Sequence, residues 1–88
     1  MLIAWQRDAW EDYLYWHEHD PKVFARINEL LKDGLRHPFQ GIGKPEPLRG
    51  NFKGYWSRRI TQEHRLVYTV TGDGDQKRLV VVQCRFHY

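Results

Sequence analysis

Leu79-Val80-Val81-Val82-Gln83-Cys84-Arg85-Phe86-His87-Tyr88 is the stretch on which the fold turns. A run of leucine and β-branched valine reads as a buried strand. Such a strand fixes the residues that follow it, where most chain ends fray. A histidine and a tyrosine are then held at one defined spot. The side chain of histidine titrates nearest neutrality and suits proton transfer. The plainer alternative is that Phe86 and Tyr88 close a core and His87 is solvated. The ending by itself favours that alternative.

Working back along the chain, two more strands precede this one, at about 65–71 and 55–60. Thr61-Gln62-Glu63-His64 forms the first turn and Gly72-Asp73-Gly74-Asp75-Gln76 the second. Three strands joined in this way form an antiparallel meander. Before them, 39–54 carries Gly41, Gly43, Pro45, Pro47, Gly50 and Gly54, too many breakers for a regular helix. Further back, a helix is expected from about residue 21, ending between Gly34 and His37, ahead of Pro38. Asp20-Pro21 opens it as N-cap and first-turn proline, and Val23, Phe24, Ile27, Leu30 and Leu31 line one side. An earlier helix covers about 7–18, with Trp10, Tyr13, Leu14 and His17 on one face. Leu2-Ile3-Ala4-Trp5 reads as a short strand. The fold class is α+β in the order β-α-α-β-β-β: an N-terminal strand and a two-helix hairpin packed on an antiparallel sheet. Residues 1–88 are expected to form one domain.

Alternation predicts what lies on the uncovered face. Tyr55, Ser57 and Arg59 point one way in the first meander strand. Arg65, Val67 and Thr69 share the outer face in the second. In the third, Val81, Gln83 and Arg85 alternate with Val80, Val82 and Cys84. Arg59, Arg65, Arg85 and His87 are thereby expected to converge on one surface.

The net charge of +3 hides a polarised chain. Residues 1–43 carry five Lys/Arg against seven Asp/Glu, and residues 44–88 carry nine against four. The basic half suits a polyanion, since guanidinium forks match phosphate oxygens. It also suits acidic ligands, anionic lipids or an acidic protein partner. Interleaved rings at Phe52, Tyr55, Trp56, Tyr68, Phe86 and Tyr88 can stack on bases, which favours RNA or single strands. About half of them are expected to belong to a core instead.

One cysteine, Cys84, excludes an intrachain disulfide and reads as a buried, inert thiol. No signal peptide and no apolar run near the ~20 residues of a membrane span are evident, so a cytoplasmic protein without membrane contact is expected. His17-Glu18-His19-Asp20 lacks metal-binding spacing and reads as a solvated helix end, so no metal or other cofactor is expected.

Glu46, within Lys44-Pro45-Glu46-Pro47-Leu48, is the best candidate general base, because two prolines stiffen its presentation. An exposed loop glutamate is the plainer reading. Lys44, Arg49, Arg58 and Arg59 have the bland option of a solvated basic face. A base, a histidine acid and several arginines fit one reaction well. RNA supplies the 2′-OH as nucleophile, arginines stabilise the charged phosphorane-like transition state, and an acid protonates the departing 5′-oxygen. The products are a 2′,3′-cyclic phosphate, opening to a 3′-phosphate, and a 5′-hydroxyl.

The same residues carry a family resemblance. Trp10-Glu11-Asp12-Tyr13-Leu14-Tyr15-Trp16, Lys44-Pro45-Glu46-Pro47-Leu48, Gly54-Tyr55-Trp56-Ser57-Arg58-Arg59-Ile60, Glu63-His64-Arg65-Leu66-Val67-Tyr68 and His87-Tyr88 resemble the YoeB toxins of the RelE/ParE superfamily of bacterial toxin–antitoxin systems. The resemblance implies a RelE/ParE-like microbial RNase fold and an endoribonuclease that cuts mRNA in the A site of the 70S ribosome. It implies Glu46 as general base, His87 as general acid, Arg65 as phosphate ligand and Tyr88 as a further catalytic residue. Lys44, Arg49, Arg58, Arg59 and Arg85 are the expected RNA- or phosphate-binding set. An acidic, partly disordered antitoxin of YefM type is the expected partner, and a homodimer the expected assembly. Arg49 stands where lysine is common, and the turn over 72–78 is longer than usual. A ParE-like action on DNA gyrase and a non-catalytic RNA-binding module are the alternatives.

Overall fold

Asp20 organises the helical layer. Its backbone N–H closes the first helix, α1 (Arg7–His19), by donating to Trp16 O at 2.9 Å. Its carboxylate caps the second, α2 (Pro21–Arg36), accepting from Lys22 N at 3.2 Å and Val23 N at 3.3 Å. One residue thus serves as both caps, and the helices fold back on each other without a linker. α2 stops at His37, ahead of Pro38, as the restriction on a residue before proline requires.

The computed structural model describes residues 1–86. His87 and Tyr88, expected to be held beside the sheet, lie outside the described residues. Beneath the helices is a five-stranded sheet of β1 (Leu2–Trp5), β2 (Glu46–Pro47), β3 (Trp56–Arg59), β4 (Arg65–Thr71) and β5 (Arg78–Gln83), in the spatial order β1-β5-β4-β3-β2. β3, β4 and β5 form the expected antiparallel meander. Two features depart from the expectation. β1 joins the sheet parallel to β5, so the sheet is mixed, and Glu46–Pro47 adds a short antiparallel edge beside β3. Both pairings join residues with no local signal for each other. Among the described residues no helix is long and apolar enough to cross a membrane.

The core lies between the helices and one sheet face. Val23, Ile27, Leu30 and Leu31 of α2 meet Leu66, Tyr68, Leu79 and Val81, with Ala9, Trp16, Ile60 and Cys84 at one end. α1 is rotated from its expected phase. Ala9 and Trp16 are its buried residues, whereas Trp10 and Leu14 stand exposed. The cause is polar: Trp16 Nε1 donates to Cys84 O at 2.8 Å, and Asp12 Oδ2 accepts from Cys84 N at 3.3 Å. The helix turns toward β5 the two side chains that satisfy its outgoing backbone.

β5 departs from simple alternation as well. Val67 pairs with Gln83 but Tyr68 pairs with Val81, which leaves a bulge at Val82. Leu79 and Val81 face the helices before the bulge, and Cys84 faces them after it. The expected grouping of Val81 with Gln83 and Arg85 therefore fails at this point.

Arg58, expected in the phosphate-binding set, requires a correction. It lies opposite Leu66 on the helix side of the sheet and is completely buried. All five of its N–H donors are engaged. Nη1 donates to Asp33 Oδ2 at 2.6 Å and Ile42 O at 3.0 Å, and Nη2 to His37 O at 2.5 Å and Gln40 O at 2.8 Å. Nε donates to Tyr68 Oη at 3.0 Å, and that hydroxyl donates on to Pro38 O at 2.5 Å. Arg58 is the internal staple of the chain between α2 and β2. Gly41 completes it: at φ +111°, any Cβ there would stand 2.0 Å from Asp33 Oδ2.

The Arg58 guanidinium holds the Asp33 carboxyl below the usual carboxylate range. Asp33→Ala leaves a buried cation uncompensated, and unfolding stability is expected to fall by about 3–5 kcal/mol in urea titration. The Asp33 contribution is complete above the ordinary carboxylate range and disappears as pH falls through the lowered value. Stability-versus-pH curves of the native protein and Asp33→Asn are expected to converge in acid. Parallel curves would contradict the role given to this pair.

Candidate functional site

The face of the sheet turned away from the helices brings the expected site residues together in two rows. Directly paired residues of neighbouring strands share a face. Glu46 pairs with Ser57, Ser57 with Val67, and Val67 with Gln83, which makes one row across four strands. Arg59 pairs with Arg65 in the next row. That row is extended on both sides, since Arg59 N donates to Gly43 O at 2.7 Å and Arg65 N to Phe86 O at 2.9 Å. By standard strand spacings, Glu46 and Arg65 stand ~12 Å apart at Cα, with long side chains to close the gap.

Glu46 is exposed and firmly held. Gly43 O ties the chain before it to Arg59, and Leu48 N after it donates to Tyr55 O at 2.9 Å. Leu48 itself is buried. Pro45 and Pro47 lack N–H groups, which suits an edge strand. Gly43, at φ +79°, has no room for a side chain, because a Cβ would lie 2.6 Å from Leu30 Cδ2. The residues that looked like a loose connection are therefore an edge strand pinned at both ends.

Two like charges directly opposite on neighbouring strands repel. Arg65 offsets part of this with its own turn: Nη1 donates to Thr61 O at 2.8 Å and to Gln62 O and His64 O, both at 3.1 Å. These carbonyls aim the guanidinium. Arg59 is exposed, and an anion bridging the pair relieves the remaining repulsion.

Lys44 and Arg49 are exposed and flank the Glu46 strand at either end. Arg85 was expected on the same face as Arg59 and Arg65. Its guanidinium instead lies 3.7 Å from the ring centroid of Tyr15, on α1. β5 ends at Gln83, so Arg85 lies beyond the strand whose alternation would have kept it with the other arginines. Arg58 is absent from this face because it is the buried staple described above.

Cys84 is buried and its thiol donates to Ala9 O at 3.5 Å. Burial, and secondarily the Asp12 charge, pushes the thiol up to about 12, so it is the inert thiol expected. Burial also raises the Asp12 carboxyl, against the lowering effects of the Cys84 N–H and the Arg85 charge. Among the described residues no group of His, Cys, Asp and Glu could hold a metal ion.

Sequence reasoning missed the residues that fix the end of β5: Asp12, Trp16 and His64. His64 looked like an ordinary turn residue. Its Nδ1 accepts from Phe86 N at 2.6 Å, and its ring lies 4.7 Å from Trp16 and 5.2 Å from Phe86, centroid to centroid. No local pattern announces a contact across 22 residues.

Comparison with known proteins places this geometry in a family. Residues 5–88 match the family described as YoeB-like toxin of bacterial type II toxin-antitoxin system. Toxin YoeB of Escherichia coli K12 is 54% identical over 88 residues, covering all of both chains. A solved YoeB/ParE toxin from Agrobacterium tumefaciens superimposes with a TM-score of 0.96 at 52% identity, again covering both chains fully. YoeB in a heterotetrameric YoeB-YefM toxin-antitoxin complex from Staphylococcus aureus matches at TM-score 0.86 and 47% identity, covering 100% of this chain and 99% of that one. A YoeB dimer from the same organism matches at TM-score 0.87 and 45% identity, covering 100% and 98%. A complete match at more than half identity, on a fold whose pinned Glu46 strand faces paired arginines, leaves one conclusion: the chain belongs to the YoeB-like toxins of bacterial type II toxin–antitoxin systems.

Proposed function

We propose that this toxin is an endoribonuclease that cleaves mRNA in the A site of the 70S ribosome and so stops translation in the cytoplasm. The observation that carries the reading is the shared face of Glu46 and the Arg59–Arg65 pair, with the backbone of Phe86 bonded to Arg65. A carboxylate opposite two arginines is a base opposite a phosphate clamp. A purely adhesive RNA surface or a protein-docking surface gains nothing from a rigidly held base.

In this reading Glu46 removes the proton from a 2′-OH. The oxygen attacks the adjacent phosphorus, and Arg65, aided by Arg59, stabilises the charge that builds on the non-bridging oxygens. His87, next to the anchored Phe86, protonates the departing 5′-oxygen, and Tyr88 completes the catalytic group. Lys44 and Arg49 steer flanking phosphates. The products carry a 2′,3′-cyclic phosphate or 3′-phosphate and a 5′-hydroxyl. RNA contributes the nucleophile and the arginines the positive charge, so the chemistry calls for no metal. Residues 1–88 act as one domain. An antitoxin of YefM type, acidic and partly disordered, neutralises the toxin by covering this basic face, and the toxin forms a homodimer.

The decisive test uses 70S ribosomes programmed with a defined mRNA. Native mRNA is expected to be cut in the presence of EDTA chelating added metal, on ribosomes fixed beforehand to remain intact. An mRNA with one 2′-deoxy substitution before the scissile phosphate is expected to survive. Cutting of the deoxy substrate would overturn 2′-OH attack. No cutting of native mRNA, together with inhibition of DNA gyrase, would replace the nuclease reading with a gyrase-directed one.

His87→Ala is expected to lower the single-turnover rate by about 10²–10⁴ while ribosome binding stays within a fewfold of native. An unchanged rate would remove His87 from the mechanism.

A further inference from the structure

The backbone at Phe86 is bent into a conformation that an aromatic residue rarely adopts, with φ at +60°. Such a conformation persists only where its surroundings over-determine it. Two hydrogen bonds do so. The Phe86 N–H donates to His64 Nδ1 at 2.6 Å, and the Phe86 carbonyl accepts from Arg65 N at 2.9 Å. Neighbouring residues of one turn thus grip both backbone polar groups of one residue. His64 is itself fixed, because its N–H donates to Thr61 Oγ1 at 3.1 Å and its ring meets Trp16 edge-on. Upstream, Cys84 is held by Trp16 and Asp12.

We infer that His64 is a positioning residue: as the neutral tautomer with Nδ1 free to accept, it locks the bend at Phe86, the last residue before His87 and Tyr88. The inference rests on the nuclease reading for its consequence in rate, because His87 is the first residue after the bend. The Arg65 contact alone leaves the Phe86 N–H unanchored. Protonation of His64 at Nδ1 sets one N–H against another and abolishes the acceptor. The anchored bend at Phe86 therefore requires neutral His64, and the toxin carries a built-in acid limb. The charged groups around His64 are Glu63 and Arg65 in its own turn, Arg85 in the outgoing chain and Asp20 at the helix junction, which lines the same hollow as His64 and Trp16.

Three substitutions separate the acceptor from the ring. His64→Phe keeps a ring against Trp16 and removes the acceptor. His64→Gln places its oxygen near the Nε2 position, out of reach of Phe86. His64→Asn places an oxygen near the Nδ1 position, where it accepts but does not titrate. Single-turnover cleavage on programmed ribosomes is expected to fall about 10–100-fold for Phe and Gln, with ribosome binding within twofold of native. His64→Asn is expected to retain most of the rate and to lose one group from the acid limb of the pH–rate profile. The backbone ¹⁵N order parameter of Phe86, measured on the same proteins, is expected to drop from ~0.85 toward 0.6 in the Phe and Gln variants and to stay high with Asn. Native-like rates and order parameters in His64→Phe would overturn the inference. So would equal losses in all three variants, or an acid limb unchanged in His64→Asn. If the native toxin cuts no RNA at all, the nuclease reading fails, and the order parameters alone decide whether His64 anchors the bend.

Discussion

A guanidinium with five donors, taken wholly out of water, has to find an acceptor for each of them, because a buried unpaired donor costs about 1–3 kcal/mol and a buried charge more. Arg58 meets that requirement with Asp33, three backbone carbonyls and the Tyr68 hydroxyl. The carbonyls belong to His37, Gln40 and Ile42, in the segment that follows α2. The exchange is mutual: the loop acquires donors and the arginine acquires acceptors. Gly43 and Glu46 follow directly from this stapled segment. The position of the candidate base therefore depends on an arginine on the opposite face of the sheet, which never meets the substrate.

The two faces of β3 and β4 show how one residue type is put to different uses by alternation. Arg58 points to the helices and is structural, while Arg59 and Arg65 point away and are paired across the strands. Pairing two arginines works against stability, since like charges directly opposite cost about as much as an opposite pair gains. In the proposed reading, the substrate phosphate offsets that cost. Part of the repulsion is taken up by the carbonyls of the 61–64 turn, which fix Arg65 without neutralising it.

Anchoring of the outgoing chain follows a second rule, that backbone groups beyond a strand need partners. Once β5 ends at Gln83, Asp12 and Trp16 take the N–H and carbonyl of Cys84, and His64 and Arg65 take those of Phe86. This explains the phase of α1. A rotation that buried Trp10 and Leu14 would gain apolar contact but withdraw Asp12 and Trp16 from Cys84. Burial raises the Asp12 carboxyl, so this contact stabilises less than an exposed one would, and Arg85 offsets part of the difference.

Local order along the chain determined a good deal. The Asp20-Pro21 cap, the spacing of Val23, Ile27, Leu30 and Leu31, and the extent of β4 were legible because capping, helical period and strand alternation act over a few residues. So were the inert Cys84 and the family motifs, including the Pro-flanked Glu46. Tertiary structure alone decided the rest. The parallel pairing of β1 with β5 joins segments more than seventy residues apart, and neither carries a mark of the other. The edge strand at Glu46–Pro47 is too short to show a period. The bulge at Val82 shifts the alternation by one, which sends Cys84 to the core, and Arg85, beyond the end of β5, lies over Tyr15. Whether an arginine is a staple or a ligand depends on which face it occupies and which acceptors wait there. For Arg58 those acceptors lie 16 to 25 residues back along the chain, on Asp33 of α2 and in the segment that follows that helix.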